Sequence, residues 1–230
     1  ESDAVIYTHA GPEVAVASTK ALTAQITAGY LLGLFLASVR GQVAESELRT
    51  VGLDLLKMPG RVAEVLANLK QAEELGTKMA SAKSVLFLGR NVGFPVAMEG
   101  ALKLKELAYI HAEGFAAGEL KHGPIALIEE GQPVIVIVPS PRDDESLHPK
   151  VISNIQEIRA RGAKVIAIAE EGDQQVGDYA EHVIFVPQSE SILAPILTVI
   201  PLQAFALALS TAKGLDVDQP RNLAKSVTVE

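Results

Sequence analysis

The feature that most constrains the fold of this 230-residue chain is a set of short apolar runs without polar alternation. The runs occupy residues 84–88 (SVLFL), 133–138 (PVIVIV), 164–169 (KVIAIA) and 182–186 (HVIFV), and helices are predicted at residues 61–83, 94–110, 145–160 and 191–213. Strands without alternation are typical of parallel sheets that are covered on both faces by helices. The sequence therefore predicts an α/β fold, a doubly wound, flavodoxin-like sheet of about four parallel strands.

The ends of these predicted strands are where a ligand is expected. In doubly wound sheets, ligands bind in the crevice beyond the carboxyl ends of the strands. Here those ends are residues 89–91, 139–141 and 170–172.

The first sixty residues do not supply a second sheet. They contain one apolar run predicted as a strand (4–7), a helix (18–40) capped by Ser18 or Thr19 and ended by Gly41, and a helix (45–57) followed by a break at Pro59 and Gly60. We therefore predict three parts: the end of a preceding domain (1–60), a main domain (61–213) and a polar tail (214–230).

Composition excludes several classes of function. The chain contains no cysteine, so it has no disulfide, no Cys-ligated metal and no cysteine nucleophile. The net charge of −8 and the absence of a basic patch disfavour nucleic-acid binding. Residues 28–37 are too short to span a membrane, and residues 192–209 contain two prolines and a glutamine, which favours a buried helix. With no signal-peptide pattern at the start, we expect a soluble, cytoplasmic protein that does not bind a membrane.

Residues 100–124 carry the densest set of reactive side chains. Lys103 and Glu106 are three positions apart on a predicted helix and so share one face, either as a solvent ion pair or as part of a site. His122 follows in a glycine-rich segment, as a structural loop histidine or as an acid–base group. His111, Glu113 and His122 match no ligand spacing of a known metal site, so a metal is not expected.

Two further segments have both an ordinary and a functional interpretation. The tail from residue 216 is polar but not of low complexity, and is either a frayed terminus or a cover that brings Lys225 to a site. Residues 11–21 (GPEVAVASTKA) precede a helix, where Ser18 and Thr19 either cap it or help to hold an anion. Nucleotide-binding glycine loops and a G-x-S-x-G elbow are absent from the sequence.

Together, residues 11–21, 99–124 (EGALKLKELAYIHAEGFAAGELKHGP) and 218–230 (DQPRNLAKSVTVE) resemble the isomerase portion of the glucosamine-6-phosphate synthases. That portion consists of two sugar-isomerase (SIS) domains and a tail, acts on fructose 6-phosphate without a cofactor, and forms homodimers. The resemblance implies that residues 1–60 are the end of the first SIS domain, that residues 61–213 are the second, and that a glutaminase domain lies upstream.

The resemblance also implies a role for particular residues. Lys225 corresponds to the lysine that forms a Schiff base with the open sugar, Glu106 to the carboxylate that moves a proton between carbons 1 and 2, Lys103 to a lysine that assists, and His122 to the ring-opening histidine that reaches the neighbouring subunit. Val16, Ser18 and Ala224 correspond to sugar-contacting positions, and Glu13 to a glutamate near the substrate amine. These residue types suit the chemistry, since a desolvated lysine forms imines and a histidine titrates near neutrality.

One part of the family pattern is missing. The serine- and threonine-rich loop S-x-S-x-x-T, which holds the sugar phosphate in the first SIS domain, does not occur in this sequence. We therefore expect the chain to be part of a longer enzyme. Two alternatives stay open: an SIS-type glucosamine-6-phosphate deaminase, and a sugar-phosphate-sensing SIS module, which would need neither Glu106 nor Lys225.

Overall fold

The computed structural model describes residues 2–142 and 147–225. Over these residues the α-helices are α1 (Lys20–Arg40), α2 (Glu45–Leu55), α3 (Met58–Ala67), α4 (Lys70–Lys78), α5 (Gly93–Lys103), α6 (Leu147–Arg159), α7 (Val176–Tyr179) and α8 (Ala194–Ala212). The strands are β1 (Ser84–Gly89), β2 (His111–Ala116), β3 (Pro133–Ile137), β4 (Lys164–Glu170) and β5 (His182–Val186). The predicted first residues of the helix at 145–160 and the end of the tail at 226–230 lie outside the described residues.

The five strands form one parallel sheet in the order β2-β1-β3-β4-β5. This confirms the predicted doubly wound α/β fold and adds a strand, β2, in a segment that the sequence presented as a non-periodic loop. Its sequence, HAEGFA, lacks the β-branched residues of the other four strands, and the strand lies at one edge of the sheet, where it is only partly buried. The short helix α7, also missed, connects β4 to β5.

Alternate residues of the strands belong to two separate hydrophobic cores, one on each face of the sheet. Val85 and Phe87 face a core completed by helices α3, α4, α5 and α8. Leu86 and Leu88 face a second core completed by α6 and α7. The sheet is therefore covered on both faces, which is why its strands show no polar alternation.

Two helices are long and apolar enough to span a membrane. One is α1, which has no buried residue, and the other comprises Ser191–Ala212, in which 72% of an 18-residue apolar stretch is buried in the protein. The second is thus the core helix that its prolines and glutamine predicted, with Pro201 inside it. One edge of helix α1 packs against the first core through Leu22, Ile26, Tyr30 and Leu34. The other side of the helix is exposed.

Several boundaries in the first half of the chain differ from prediction. Residues 4–7 were predicted as a strand, but they are exposed and pair with no strand in the described part of the chain. Pro59 and Gly60 do not break a helix; they lie in the first turn of α3, where proline is tolerated because its missing N–H has no intrahelical partner. The predicted helix at 61–83 is two helices, α3 and α4, separated at Asn68. Gly41 ends α1, as predicted, and it adopts the left-handed conformation.

Candidate active site

Lys103, at the end of α5, lies between two carboxylates. Its ammonium is 2.7 Å from a carboxylate oxygen of Glu106 and 3.1 Å from one of Glu99. The Lys103 side chain is only 3% exposed, whereas those of Glu99 and Glu106 are 19% and 22% exposed. The cluster is therefore not a solvent ion pair; it is a largely desolvated triad in which one cation serves two anions.

Glu99 is the least favourably placed charge of this triad. Burial raises the pKa of its carboxyl above the ordinary value, and the nearby Glu106 charge acts in the same direction. Lys103 opposes both effects but does not cancel them. A carboxyl group that holds its proton more readily than usual therefore lies beside the two residues expected to carry proton transfer.

Glu106 lies in a π-helical turn, Leu104–Ala108, that follows α5 directly. The predicted helix to residue 110 is thus α-helical only to Lys103. Widened turns of this kind are frequently found at functional sites. The turn ends at Tyr109, which adopts the left-handed conformation with φ 55°.

Glu13 replaces the predicted side-chain cap of α1. Neither Ser18 nor Thr19 caps the helix; instead, the Glu13 carboxylate accepts hydrogen bonds from the Thr19 N–H (2.9 Å), the Ala21 N–H (3.4 Å) and both hydroxyls. Burial alone would raise the pKa of Glu13, but these bonds and one from the Lys225 ammonium outweigh it and lower the pKa to about 2.

The tail is attached to the protein at three places before residue 226. The Asp218 carbonyl accepts a hydrogen bond from the Val16 N–H at 2.9 Å. The Arg221 N–H donates to the Tyr109 hydroxyl at 2.7 Å, and the Arg221 guanidinium lies 4.1 Å from the centre of the Tyr109 ring. Lys225 donates to Glu13 at 3.2 Å. As far as Lys225, the tail is therefore a folded segment and not a frayed terminus.

These contacts bring most of the predicted site residues into two groups. Glu13, Ser18 and Lys225 form the first, with Val16 joined through Asp218 and with the exposed Ala224 next to the lysine. Lys103 and Glu106 form the second. A depression of about 420 Å³ lies between the π-helical turn and the tail, lined by Glu106, Tyr109, Arg221 and Leu223 among others. The tail is thus the segment that connects the two groups.

His122 stands apart from both groups. It is exposed at the end of a 3₁₀ segment, Ala117–His122, and no hydrogen bond or ion pair of the described residues joins it to Glu106 or Lys225. The neighbouring Lys121 pairs with Glu157 of α6 at 2.8 Å, which holds the segment against the protein. The Nε2 atom of His111 lies 3.8 Å from a carboxylate oxygen of Glu113. Within residues 2–142 and 147–225 there is no cluster of three or more side chains suited to a metal ion.

The crevice predicted at the carboxyl ends of the strands exists but does not contain these groups. A cavity of about 370 Å³ lies between the ends of β1 and β3, lined by Arg90, Gly93 and Ser140 among others. Beyond it, Arg142 and Ser140 bind the Glu170 carboxylate at the end of β4.

Sequence reasoning missed three residues of the site. Glu99 could have been found, because it is four positions before Lys103 and so shares its helix face. Tyr109 and Arg221 carry no such signal, since their contact joins residues 112 positions apart.

Comparison with known proteins places this architecture in a family. The family model of the SIS domain matches residues 78–213. The glutamine–fructose-6-phosphate aminotransferase (isomerizing) of Corynebacterium efficiens is 65% identical over 230 residues, which is 100% of this chain and 37% of the relative. This chain therefore spans little more than a third of that relative's length.

Two solved structures illustrate the range of the fold. The C-terminal domain of glucosamine-fructose-6-phosphate aminotransferase from Francisella tularensis superposes with a TM-score of 0.83 at 34% identity, over 91% of this chain and 58% of that one. Glucosamine-6-phosphate deaminase from Thermotoga maritima superposes with a TM-score of 0.58 at 20% identity, over 95% and 59%, which shows a common fold alone.

Proposed function

The chain belongs to the SIS-domain family, and from that membership we propose that it is the isomerase portion of a glutamine–fructose-6-phosphate aminotransferase. In this proposal it converts fructose 6-phosphate and ammonia derived from glutamine into glucosamine 6-phosphate and water. The observation that carries the proposal is the position of Lys225, whose ammonium lies 3.2 Å from the buried Glu13 carboxylate while the preceding tail residues line the depression that contains Glu106.

The first step is the opening of the sugar ring. An imidazole accepts the proton of the anomeric hydroxyl and returns a proton to the ring oxygen, leaving a carbonyl at carbon 2. We assign this role to His122. Because His122 is exposed and no hydrogen bond or ion pair of the described residues joins it to Lys225 or Glu106 of its own chain, its role is best served in the site of a neighbouring subunit of a homodimer.

The second step is imine formation on Lys225. The neutral amine attacks carbon 2, water leaves, and ammonia then displaces the lysine to give the imine of the substrate. Glu13, with a pKa of about 2, is ionised and accepts a hydrogen bond from Lys225 before substrate arrives. Once Lys225 has formed the imine, Glu13 is free to pair with the substrate amine. Val16, Ser18 and Ala224, beside this pair, contact the sugar.

The third step is the proton transfer from carbon 1 to carbon 2. The Glu106 carboxylate removes a proton from carbon 1 and delivers it to carbon 2, while the hydroxyl on carbon 1 loses its proton and the imine nitrogen gains one, which leaves an aldehyde at carbon 1 and the amine at carbon 2. Lys103, 2.7 Å away, orients the carboxylate.

The proposal includes an organisation for the larger protein. Residues 1–60 complete a first SIS domain, which supplies the phosphate-binding loop; residues 61–213 are the second SIS domain; residues 214–230 cover the site. A glutaminase domain provides the ammonia, and the enzyme works in the cytoplasm. The exposed apolar side of α1 supports the first assignment, because such a face normally packs against further structure. The deaminase and sensor alternatives have no comparable support, since the deaminase resemblance extends to the fold alone.

Reduction of the imine on Lys225 tests the proposal directly. Borohydride added to the full-length protein with fructose 6-phosphate should attach the sugar covalently to the peptide that contains Lys225, as detected by mass spectrometry. Lys225→Ala should abolish both the adduct and sugar isomerisation without loss of folded structure, whereas Lys213→Ala, at the exposed end of α8, should retain both. Isomerisation by Lys225→Ala would disprove the Schiff-base role.

A further inference from the structure

Tyr109 contacts the tail with two different parts of its side chain. The hydroxyl accepts the Arg221 N–H at 2.7 Å, and the ring face lies 4.1 Å from the Arg221 guanidinium carbon. A hydrogen bond and a cation–π contact thus act on the same tail residue, four positions before Lys225.

The position of Tyr109 in the chain gives this contact a functional meaning. Tyr109 directly ends the π-helical turn that carries Glu106, and its backbone is left-handed, a conformation that favours glycine. A bulky residue here is conformationally unfavourable, so its side chain must contribute something that a glycine could not. The contact with Arg221 is that contribution.

Anchoring at Arg221 limits how far Lys225 can move. An extended chain covers ~3.5 Å per residue, so Lys225 reaches ~14 Å from an anchor at Arg221 but ~25 Å from the earlier anchor at Asp218. The volume open to the lysine is therefore about fivefold smaller when the Tyr109 contact is made, and its effective concentration at the site is correspondingly higher.

We propose that Tyr109 is a positioning residue that anchors the tail at Arg221 and so holds Lys225 within reach of the sugar bound beside Glu106. This inference rests on the proposed Schiff-base function. One side chain thereby links the element that carries the proton-transfer carboxylate to the segment that carries the imine-forming lysine.

Separate variants remove the two contacts. Tyr109→Phe removes the hydrogen bond and keeps the ring, Arg221→Ala removes the guanidinium and keeps the N–H, and Tyr109→Ala removes both. In the full-length protein with saturating fructose 6-phosphate and borohydride, the trapping rate should fall about fivefold for Tyr109→Ala, which is the full change in the volume open to Lys225, and about twofold for each single contact. KM for fructose 6-phosphate should change little, because the anchor acts on the lysine and not on sugar binding. Adding Arg221→Ala to Tyr109→Ala should cause no further loss.

Tyr179→Phe, in α7 on the other core, is the matched control and should trap at the parent rate. Parent rates in Tyr109→Phe and Arg221→Ala would overturn the positioning role, and these two mild variants decide the matter if Tyr109→Ala does not fold.

Tryptic cleavage after Lys225 measures the anchor without any chemistry on the sugar. Release of the tail should be about tenfold faster in Tyr109→Ala than in the parent. If the parent protein gave no borohydride adduct, the proposed function would fail while faster cleavage still supported the anchor. Unchanged cleavage in Tyr109→Ala would overturn the anchor whatever the trapping result.

Discussion

At the scale of single residues, the electrostatic balance of the site depends on Lys103. It is the cation that neutralises both Glu99 and Glu106 in a largely desolvated cluster. Removing one partner from such a cluster is costly, because it leaves uncompensated charge away from water. The cost is moderated here because the side chains of both glutamates are still about one-fifth exposed to solvent.

Lys103→Met should therefore lower the free energy of unfolding at pH 7 by about 2 kcal/mol. The loss should be smaller at pH 5, since the raised pKa of Glu99 lets it become neutral as the pH falls. Urea unfolding at the two pH values measures both effects. Lys105→Met, an exposed lysine two residues along, is the control and should change stability little. An equal loss at both pH values would contradict the charge argument.

Glu106→Gln tests the proton-transfer role. The amide keeps the size of the side chain but cannot accept a proton from carbon, so incorporation of solvent hydrogen at carbon 2 of the product should slow by about 10²–10⁴-fold. Proton exchange in heavy water, followed by NMR, measures this rate. Glu113→Gln, on β2, should exchange normally. Normal exchange in Glu106→Gln would assign the base to another residue.

Glu13 should make the protein sensitive to acid. Its pKa in the folded protein, about 2, is below the ordinary value of 4.5, so its contribution to stability is complete above about pH 4.5 and is lost as the pH falls toward 2. Glu13→Gln should be less stable than the parent by about 1–2 kcal/mol at pH 7, as expected for a lost helix cap.

The difference between Glu13→Gln and the parent should shrink toward zero near pH 2. Thermal unfolding across this range measures it, with the exposed Glu45→Gln of α2 as the control. A difference that stayed constant with pH would show that the Glu13 carboxylate is not the stabilising group.

At the scale of elements, the sequence predicted what local pattern determines. Four strands, the long core helix and the end of α1 at Gly41 follow from apolar runs and cap residues. The edge strand β2, the π-helical turn and the capping of α1 by Glu13 could not be predicted, because each depends on a neighbour that the local sequence does not specify. For the site, residue types indicated the chemistry, while the Tyr109–Arg221 contact appears only in three dimensions.

Gly114 shows how a residue in β2 is determined by a neighbouring element. A Cβ atom at this position would lie 2.7 Å from the backbone of Met98 in α5, so the helix crosses the strand where there is no side chain. Gly114→Ala should lower the free energy of unfolding by about 2 kcal/mol, because backbone cannot move aside cheaply.

The matched control is Gly177→Ala in α7, where nothing lies within 4 Å of an added Cβ. This change should be neutral or stabilising by about 0.4–1 kcal/mol. Chemical denaturation of both variants provides the measurement, and equal effects of the two substitutions would refute the close-packing explanation.

At the scale of the whole molecule, α1 is the element whose apolar side chains are least covered by the rest of the described residues. Leu31, Leu32, Phe35, Leu36 and Val39 form an exposed apolar side. The lysine-bearing tail, by contrast, returns to the segment just before α1 through Glu13 and Val16. The candidate site thus lies against the part of the chain whose packing is least complete.

This arrangement predicts that the 230-residue chain by itself binds fructose 6-phosphate, the substrate proposed above, only poorly. Dianionic phosphate is normally held by backbone N–H groups and hydroxyls of a loop at a helix N-terminus, and this sequence contains no S-x-S-x-x-T run to provide them.

Calorimetry with the isolated chain should give a Kd for fructose 6-phosphate of about 1 mM or weaker. The full-length protein in the same buffer should bind much more tightly, and Lys225→Ala should leave that binding nearly intact, since the imine forms after the phosphate is held. Micromolar binding by the isolated chain would mean that the phosphate site lies within these residues, with the cavity between β1 and β3 the first place to look for it.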